Sequence, residues 1–358
     1  MPVRVFDFFS GCGGTSIGLQ AAGMHIAFAN DNDADCAQTF RFNIPDARFL
    51  PDNVRDIDVN TIADLARRAP NDALLFCGCA PCQPFSRQNR HRTDDDGRRG
   101  LLNEFGRFVE HYVPDLIFVE NVPGWRNATV RTEPFTALLE LLQHLDYAVQ
   151  VNRVFAQDYG VPQRRQRLIL LASRLGPPEF PHPTYGPQTP NANFATVRQY
   201  IGHLPAIAAG ETHPTIPNHR AANLSPLNLQ RIMAVGDGGG RMDWPDHLVL
   251  DCHRGDFEGH TDVYGRMHWD QPAPGLTTRC ISLSNGRFGH PEQHRAISVR
   301  EAACLQTFPQ TFVFHGNLGS MARQIGNAVP VLMAQRFGEA LMRHVHAHRP
   351  EVLANGDL

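Results

Sequence analysis

The chain has 358 residues, 42% of them hydrophobic and 19% charged, with a formal net charge of −3. These values describe an ordinary globular protein of one large or two unequal domains, and exclude a disordered or collagen-like chain. No apolar run approaches the roughly 20 residues that cross a bilayer.

Met1-Pro2-Val3-Arg4-Val5-Phe6 leads straight into a strand, with no charged-then-apolar leader, so the expected location is the cytoplasm. The eight cysteines, at 12, 36, 77, 79, 82, 252, 280 and 304, then read as reduced thiols. Cys77, Cys79 and Cys82 lack the second ligand pair of a structural zinc site, and no metal is expected. The 33 basic residues are all Arg. That is either a compositional bias or a use of the guanidinium fork on phosphate and guanine.

Val3 to Phe9 reads as a first strand, followed by Ser10-Gly11-Cys12-Gly13-Gly14-Thr15 and a helix from Ile17 to Ala22. Strand, glycine turn and helix make half of a nucleotide-binding unit, or a plain tight turn. A second strand, His25 to Ala29, ends in Asn30-Asp31-Asn32-Asp33. An acid there suits a ribose hydroxyl pair, and Asp33 also suits the N-cap of a helix over Ala34 to Phe42. Asp56 and Ile57 follow a third strand and bring a further carboxylate to the same sheet edge.

Leu74-Leu75-Phe76-Cys77 is a buried strand that drives into the rigid elbow Gly78-Cys79-Ala80-Pro81-Cys82-Gln83-Pro84. The elbow presents the Cys82 thiol at the strand's carboxyl end, where chemistry collects in open α/β sheets. Arg87 to Gly100, with Arg90, Arg98 and Arg99, is a basic loop: a solvated surface, or a lid for phosphate. Leu101 to Val109 is helical. Leu116 to Val119 is a buried strand that ends in Glu120-Asn121-Val122. A helix over Phe135 to Leu145 and a strand over Tyr147 to Phe155 precede Gln163-Arg164-Arg165-Gln166-Arg167 and a strand over Leu168 to Ala172.

From about Leu175 the character changes. Prolines crowd Gly176 to Pro190, and the segment to about Gly289 lacks alternating buried elements. It reads as a small loop-rich domain. Ser298 with Glu301 three residues on is a capping box, and Gln324 to Pro330 opens a long amphipathic helix from Val331.

These motifs resemble the DNA cytosine-5 methyltransferases of bacterial modification systems, over nearly the whole length and in the family's order. Asp7 to Gly14 looks like the cofactor loop and Ala80 to Ser86 like the nucleophile motif. Glu120-Asn121-Val122 looks like the acid motif and Gln163 to Arg167 like the arginine motif. Arg295 to Glu301 and Gln324 to Pro330 look like the closing pair. The acid of the second strand departs from the pattern, since Asp31 is followed by Asn32 rather than a bulky aromatic.

The resemblance implies an α/β fold. A Rossmann-like S-adenosylmethionine-dependent methyltransferase domain with a mixed, mostly parallel sheet is expected over residues 1–177. A smaller loop-rich target-recognition domain is expected over 178–290, and a return segment over 291–358 whose last helix packs back on the catalytic domain. It implies catalysis by Cys82, Glu120, Arg165 and Arg167. S-adenosylmethionine would be held by Phe9, Ser10, Gly11, Cys12, Gly13, Gly14, Asp31, Asn32, Asp56, Ile57, Pro81, Asn327 and Ala328. Double-stranded DNA would be held by Ser86, Arg87, Arg90, Arg98, Arg99, Gln163 and Arg241. Among other arginines of the small domain, Arg231, Arg254, Arg266, Arg279 and Arg287 are further candidates for reading bases.

The expected reaction is methylation of C5 of a flipped-out cytosine in a short specific sequence, through a Cys82–C6 adduct. A monomer is expected, alongside a cognate restriction endonuclease. A tRNA-directed enzyme of the same family is the second reading, although its Cys-Phe-Thr signature is missing here. A catalytically inactive DNA-binding accessory protein is the third, opposed by the intact Cys82, Glu120 and Arg165.

Overall fold

The computed structural model describes residues 2–67, 72–80, 100–122, 133–251, 254 and 262–349. The chain forms two compact units, 1–154 with 166–182 and 333–358, and 155–165 with 183–332.

The first unit starts with β1 (Val3–Phe8), α1 (Gly14–Ala21), β2 (His25–Asn30), α2 (Ala34–Asn43) and β3 (Arg48–Leu50). Short 3-10 turns lead to α3 (Ala63–Ala66) and then β4 (Ala73–Gly78). After α4 (Leu101–Tyr112) come β5 (Leu116–Asn121), α5 (Glu133–His144) and β6 (Ala148–Phe155). The chain passes through β7 (Gln163–Arg164) of the second unit and returns as β8 (Gln166–Ser173).

Seven strands form one sheet in the order β3-β2-β1-β4-β5-β8-β6. The pairs β3–β2, β2–β1, β1–β4 and β4–β5 are parallel and β5–β8 is antiparallel. Strands that are apolar on both faces need a cover on both faces. β4 and β5 are buried throughout, and Phe6, Phe8, Phe28, Phe76, Phe105 and Phe108 fill one side. The strand order reverses between β1 and β4, so their carboxyl ends form the crevice where such sheets bind ligands.

The second unit contains α6 (Val197–Ile201), α7 (Pro226–Met233), β9 (Ala273–Pro274), α8 (Val299–Leu305) and α9 (Leu318–Asn327). Its only sheet among the described residues pairs β7 with β9. Beside its buried apolar residues, such as Phe308, Phe312 and Phe314, buried arginines bind the second unit's loops together. Arg266 donates to the carbonyls of Ile232, Val235, His290 and Gln293 at 2.6–2.8 Å. Arg300 reaches the Pro217 and Phe312 carbonyls at 2.9 and 2.7 Å. Arg295 grips Glu301 through both guanidinium NH2 groups at 2.7 and 2.6 Å. Ser298 caps α8 with the reciprocal Glu301 bond that its spacing predicts.

α10 (Val331–His348) completes the first unit. Phe337 meets Phe118 with ring centroids 5.9 Å apart, and Gly338 lies close to Ala22 of the α1 turn. Arg349 pairs with Asp115 at 2.6 Å, and Asp115 also accepts the Leu74 N–H at 2.9 Å, so the helix end is tied to β4 and β5.

The division differs from the boundaries expected at 177 and 290. Residues 155–165 leave the first unit because Gln163 and Arg165 bond to the second unit's own backbone. Residues 291–332 stay in the second unit, held by the Arg295 and Arg300 contacts.

Candidate active site

The cofactor loop is built on a bend that the sequence forces at the end of β1. Phe9 and Gly11 have φ of 58° and 54°, and Gly13, at 99°, is the N-cap of α1. A Cβ on Gly13 would come within 3.0 Å of Ile44 and Phe40, so this turn needs a glycine for space as well as for conformation. Ser10 N–H donates to the Asn30 carbonyl at 2.9 Å and Gly11 N–H to Asp31 Oδ2 at 2.9 Å. The loop is thereby sewn to the end of β2. Phe9 is half-buried, while Cys12 is buried and its thiol is pushed up to about 12 by burial.

Asp31 and Asp33 have separate jobs. Asp33 Oδ1 accepts the Asp35 and Cys36 N–H groups at 3.0 Å and caps α2. Asp31 accepts Gly11 N–H on one oxygen and Asp33 N–H on the other, and burial raises its pKa. Each oxygen keeps a lone pair for a second donor. Asn32 and Asp56 are exposed. Ile57 is buried in the apolar core, so its side chain packs rather than facing a ligand.

The loop also reaches toward the end of β4. Thr15 Oγ1 lies 3.7 Å from Cys79 Sγ, and Ser16 Oγ–H donates to Asp7 Oδ2 at 2.6 Å. Asp7 is fully buried on β1, and burial lifts its carboxyl to about 7. Burial also raises the Cys77 and Cys79 thiols well above the usual range, helped by Asp7 beside Cys77 and Glu120 beside Cys79.

Beyond Ala80 the elbow with Pro81, Cys82 and Ser86, and the basic loop with Arg87, Arg90, Arg98 and Arg99, lie outside the described residues. Their root is fixed. Gly78 leaves no room for a Cβ, which would lie 2.9 Å from Phe105. Asn121 Nδ2 donates to the Ala80 carbonyl at 3.3 Å and so ties the last described residue before Pro81 to the end of β5.

Glu120 is buried at that same end. Arg167, at the start of the antiparallel neighbour β8, brings Nε to 2.6 Å from Glu120 Oε1. The N–H points off the line to the oxygen, so this is an ion pair rather than an aligned hydrogen bond. Arg167 NH1 also donates to the Gln166 carbonyl at 2.7 Å.

The other arginine expected to be catalytic is placed differently. Arg165 is buried and donates to the carbonyls of Leu276, Gly326 and Ala328 at 2.8, 3.0 and 3.2 Å, all within the second unit. Gln163 and Arg241, expected to touch DNA, are buried too. The Gln163 amide donates to Gln306 at 2.6 Å and accepts the Leu276 N–H at 2.8 Å. Asn327 is exposed at the end of α9, and the Ala328 carbonyl is taken by Arg165 and Gln306. Sequence reasoning placed Asn121 in the acid motif without giving its amide a role, and passed over Gln306. Asn121 was signalled by following Glu120 at a strand end; nothing in the pattern around Gln306 marks it.

A family model described as "C-5 cytosine-specific DNA methylase" matches residues 3–343. The chain belongs to this DNA cytosine-5 methylase family. The type II methylase M.HgiDII of Herpetosiphon aurantiacus is 39% identical over 95% of this chain and 95% of its own length. The type II methyltransferase M1.HphI of Haemophilus parahaemolyticus is 33% identical over 96% of this chain and 87% of its own. Among solved structures, an E. coli prophage protein described as a DNA modification methyltransferase superposes with a TM-score of 0.73 at 22% identity, covering 95% of this chain and 99% of its own. A DNMT2 mutant of Spodoptera frugiperda gives 0.59 at 17% identity, covering 96% and 99%. These two structures speak for the shared α/β fold.

As a family member, the chain is a DNA cytosine-5 methyltransferase, and its methyl donor is S-adenosylmethionine. The donor set at the switch point fits that molecule. A half-buried aromatic ring, a glycine turn and the two-oxygen acceptor Asp31 meet at the ends of β1 and β2. No helix among the described residues is long and apolar enough to cross a membrane.

Proposed function

We propose that Cys82 is the nucleophile of this methyltransferase, acting on C6 of a cytosine extruded from duplex DNA, with Glu120 and Arg167 holding the ring. The observation that carries this reading is the cluster at the end of the sheet. The Glu120–Arg167 ion pair ends one strand, and Asn121 beside it grips the backbone that leads into Cys82.

C5 of cytosine is too poor a nucleophile to take a methyl group unaided. Thiolate addition at C6 makes the ring an enamine with a nucleophilic C5. Bound S-adenosylmethionine supplies an electrophilic methyl on its sulfonium. Negative charge that develops on the ring is met by a proton at N3: the one that the Cys82 thiol gives up on attack, relayed through the Glu120 carboxylate. Arg167 orients that carboxyl and offers a donor to O2. Loss of the C5 proton then expels Cys82. Cys77 and Cys79, held as thiols by burial, do not compete.

Arg165 is left out of this ring-holding set, because its two terminal NH groups are engaged on backbone carbonyls of the second unit. Phe9, Gly11 and Asp31 hold the adenosine of the methyl donor, and the basic loop with Arg87, Arg90, Arg98 and Arg99 contacts DNA phosphates. Residues 178–290 recognise the target sequence. The enzyme is a cytoplasmic monomer that protects the sites of a cognate endonuclease.

The test pairs labelled S-adenosylmethionine with plasmid DNA or tRNA. Label is expected in DNA, and label confined to tRNA would sink the reading. Cys82→Ser should bind DNA and transfer nothing. A duplex with 5-fluorocytosine at the target should be trapped covalently by the parent and released by Cys82→Ser, since no C5 proton remains to leave.

A further inference from the structure

Six arginines of the small domain stand out in the sequence as candidates for reading bases: Arg231, Arg241, Arg254, Arg266, Arg279 and Arg287. The structure sorts them. Arg231, Arg241 and Arg266 are buried. Arg287 is half-buried on the carbonyls of Gly238 and Gly239, and Arg254 pairs with Asp251 at 3.4 Å. Arg279 alone of the six is exposed with no hydrogen bond or ion pair to its guanidinium among the described residues.

The backbone that carries Arg279 is held with unusual firmness for an exposed turn. Just before it, the Leu276 N–H donates to Gln163 and the Leu276 carbonyl accepts from Arg165, both at 2.8 Å. Gly326 of α9 lies flat on the next peptide, where a Cβ would stand 2.2 Å from the Thr277 carbonyl oxygen. Arg279 N–H donates to Thr277 Oγ1 at 3.3 Å, and the Cys280 N–H closes the turn on the Thr277 carbonyl at 3.1 Å. Cys280 itself is fully buried. The buried Gln163 and Arg165 thus fix a turn whose most exposed residue is Arg279.

We infer that Arg279 reads the edge of a guanine in the methylation site. This rests on the methyltransferase reading above. A two-pronged bond to guanine O6 and N7 needs a donor fork placed to within about 0.5 Å, and a supported backbone provides that. A phosphate contact tolerates a mobile side chain and needs no such support.

The experiment compares the parent with Arg279→Lys, which keeps the charge and loses the fork. Each methylates a pool of duplexes randomised around the target, read by bisulfite sequencing, and each is titrated onto non-target duplex over a range of salt. The expected result is a loss of discrimination on the order of ten- to a hundred-fold at one G·C pair, with the salt dependence of binding unchanged. An unaltered sequence profile overturns the inference. So does a uniform loss in Arg279→Gln, restored by lysine, with the salt slope lowered by about 1, which marks a phosphate anchor. If the parent itself methylates no DNA, the functional reading fails, and the inference falls with it.

Discussion

Phenylalanine rings pack on one another in both units, but only the second, among the described residues, also threads buried arginines through its backbone carbonyls. Phe8 has the rings of Phe28, Phe76, Phe105 and Phe108 within 4.8–5.5 Å, between a sheet and its helices. Arg266 has four backbone carbonyls and a histidine nitrogen around it, in a region of short turns. A sheet satisfies its own backbone and asks side chains only to fill space. A loop-rich unit leaves carbonyls without partners, and a buried guanidinium with five donors supplies several at once. Both units bury apolar side chains, and the second adds buried guanidinium donors that tie its loops.

That contrast is open to direct attack. Arg266→Lys should cost the most, on the order of 4 kcal/mol, because one ammonium cannot replace a fork and buried carbonyls are left unpaired. Phe8→Leu should cost only about 1.5 kcal/mol, since an apolar residue of similar size still fills the space. Urea titration followed by fluorescence would report both, with Trp244 and Trp269 sensing the second unit. The contrast breaks if phenylalanine proves the dearer loss.

Two glycines sharpen it next. In Gly326→Ala the new methyl meets fixed backbone, the Thr277 carbonyl oxygen at 2.2 Å, and about 3 kcal/mol should be lost. In Gly338→Ala it meets Ala22 Cβ at 2.7 Å and Leu19 Cδ2 at 3.0 Å, side-chain atoms on a helix that can shift. The helix preference for alanine, about 1 kcal/mol, offsets part of that strain. Thermal melts of the two variants should therefore separate clearly.

Acidity gives a smaller and opposite response in the two units. Asp7 has its carboxyl lifted to about 7 by burial, so from about pH 4 to 7 the folded chain holds a proton that the unfolded chain releases. Its contribution to stability falls as pH rises through that window. Burial lowers His290 to about 4, so between about pH 6.5 and 4 the unfolded chain holds the extra proton, and stability falls as pH falls. Asp7→Asn should gain on the parent by about 2 kcal/mol as pH rises from 4 to 7, half the ceiling that such a shift permits. His290→Gln should gain as pH falls. Unfolding midpoints across that range would test both slopes. The smallest effect belongs to Arg198→Ala, whose bond to Asp270 is two-pronged but solvent-exposed, and no change in the melting midpoint is expected.

The same contrast decides what the sequence could reveal. β1, β4 and β5 announce themselves as short apolar runs, and the motifs at their ends give the order of the cofactor loop, elbow and acid. Asp33 and Ser298 declare their caps by position alone. Arg165 and Gln163 have the spacing of the arginine motif, while most of their partners are backbone atoms 111 to 163 residues away. A carbonyl acceptor carries no residue identity, so no pattern of side chains points to it. Arg241, expected to touch DNA, is likewise buried in the fold.

The first unit is assembled from three separate stretches, and its last helix follows the whole of the second unit. On a ribosome, β5 emerges long before Phe337 arrives to cover Phe118. At about 5–20 residues per second, the delay between Asn121 and the end of α10 is roughly 10–45 s. During that interval one flank of the nascent sheet is greasy and unclad, and it is the stage at which a chaperone would matter most. A clone lacking α10 would make that passing condition permanent.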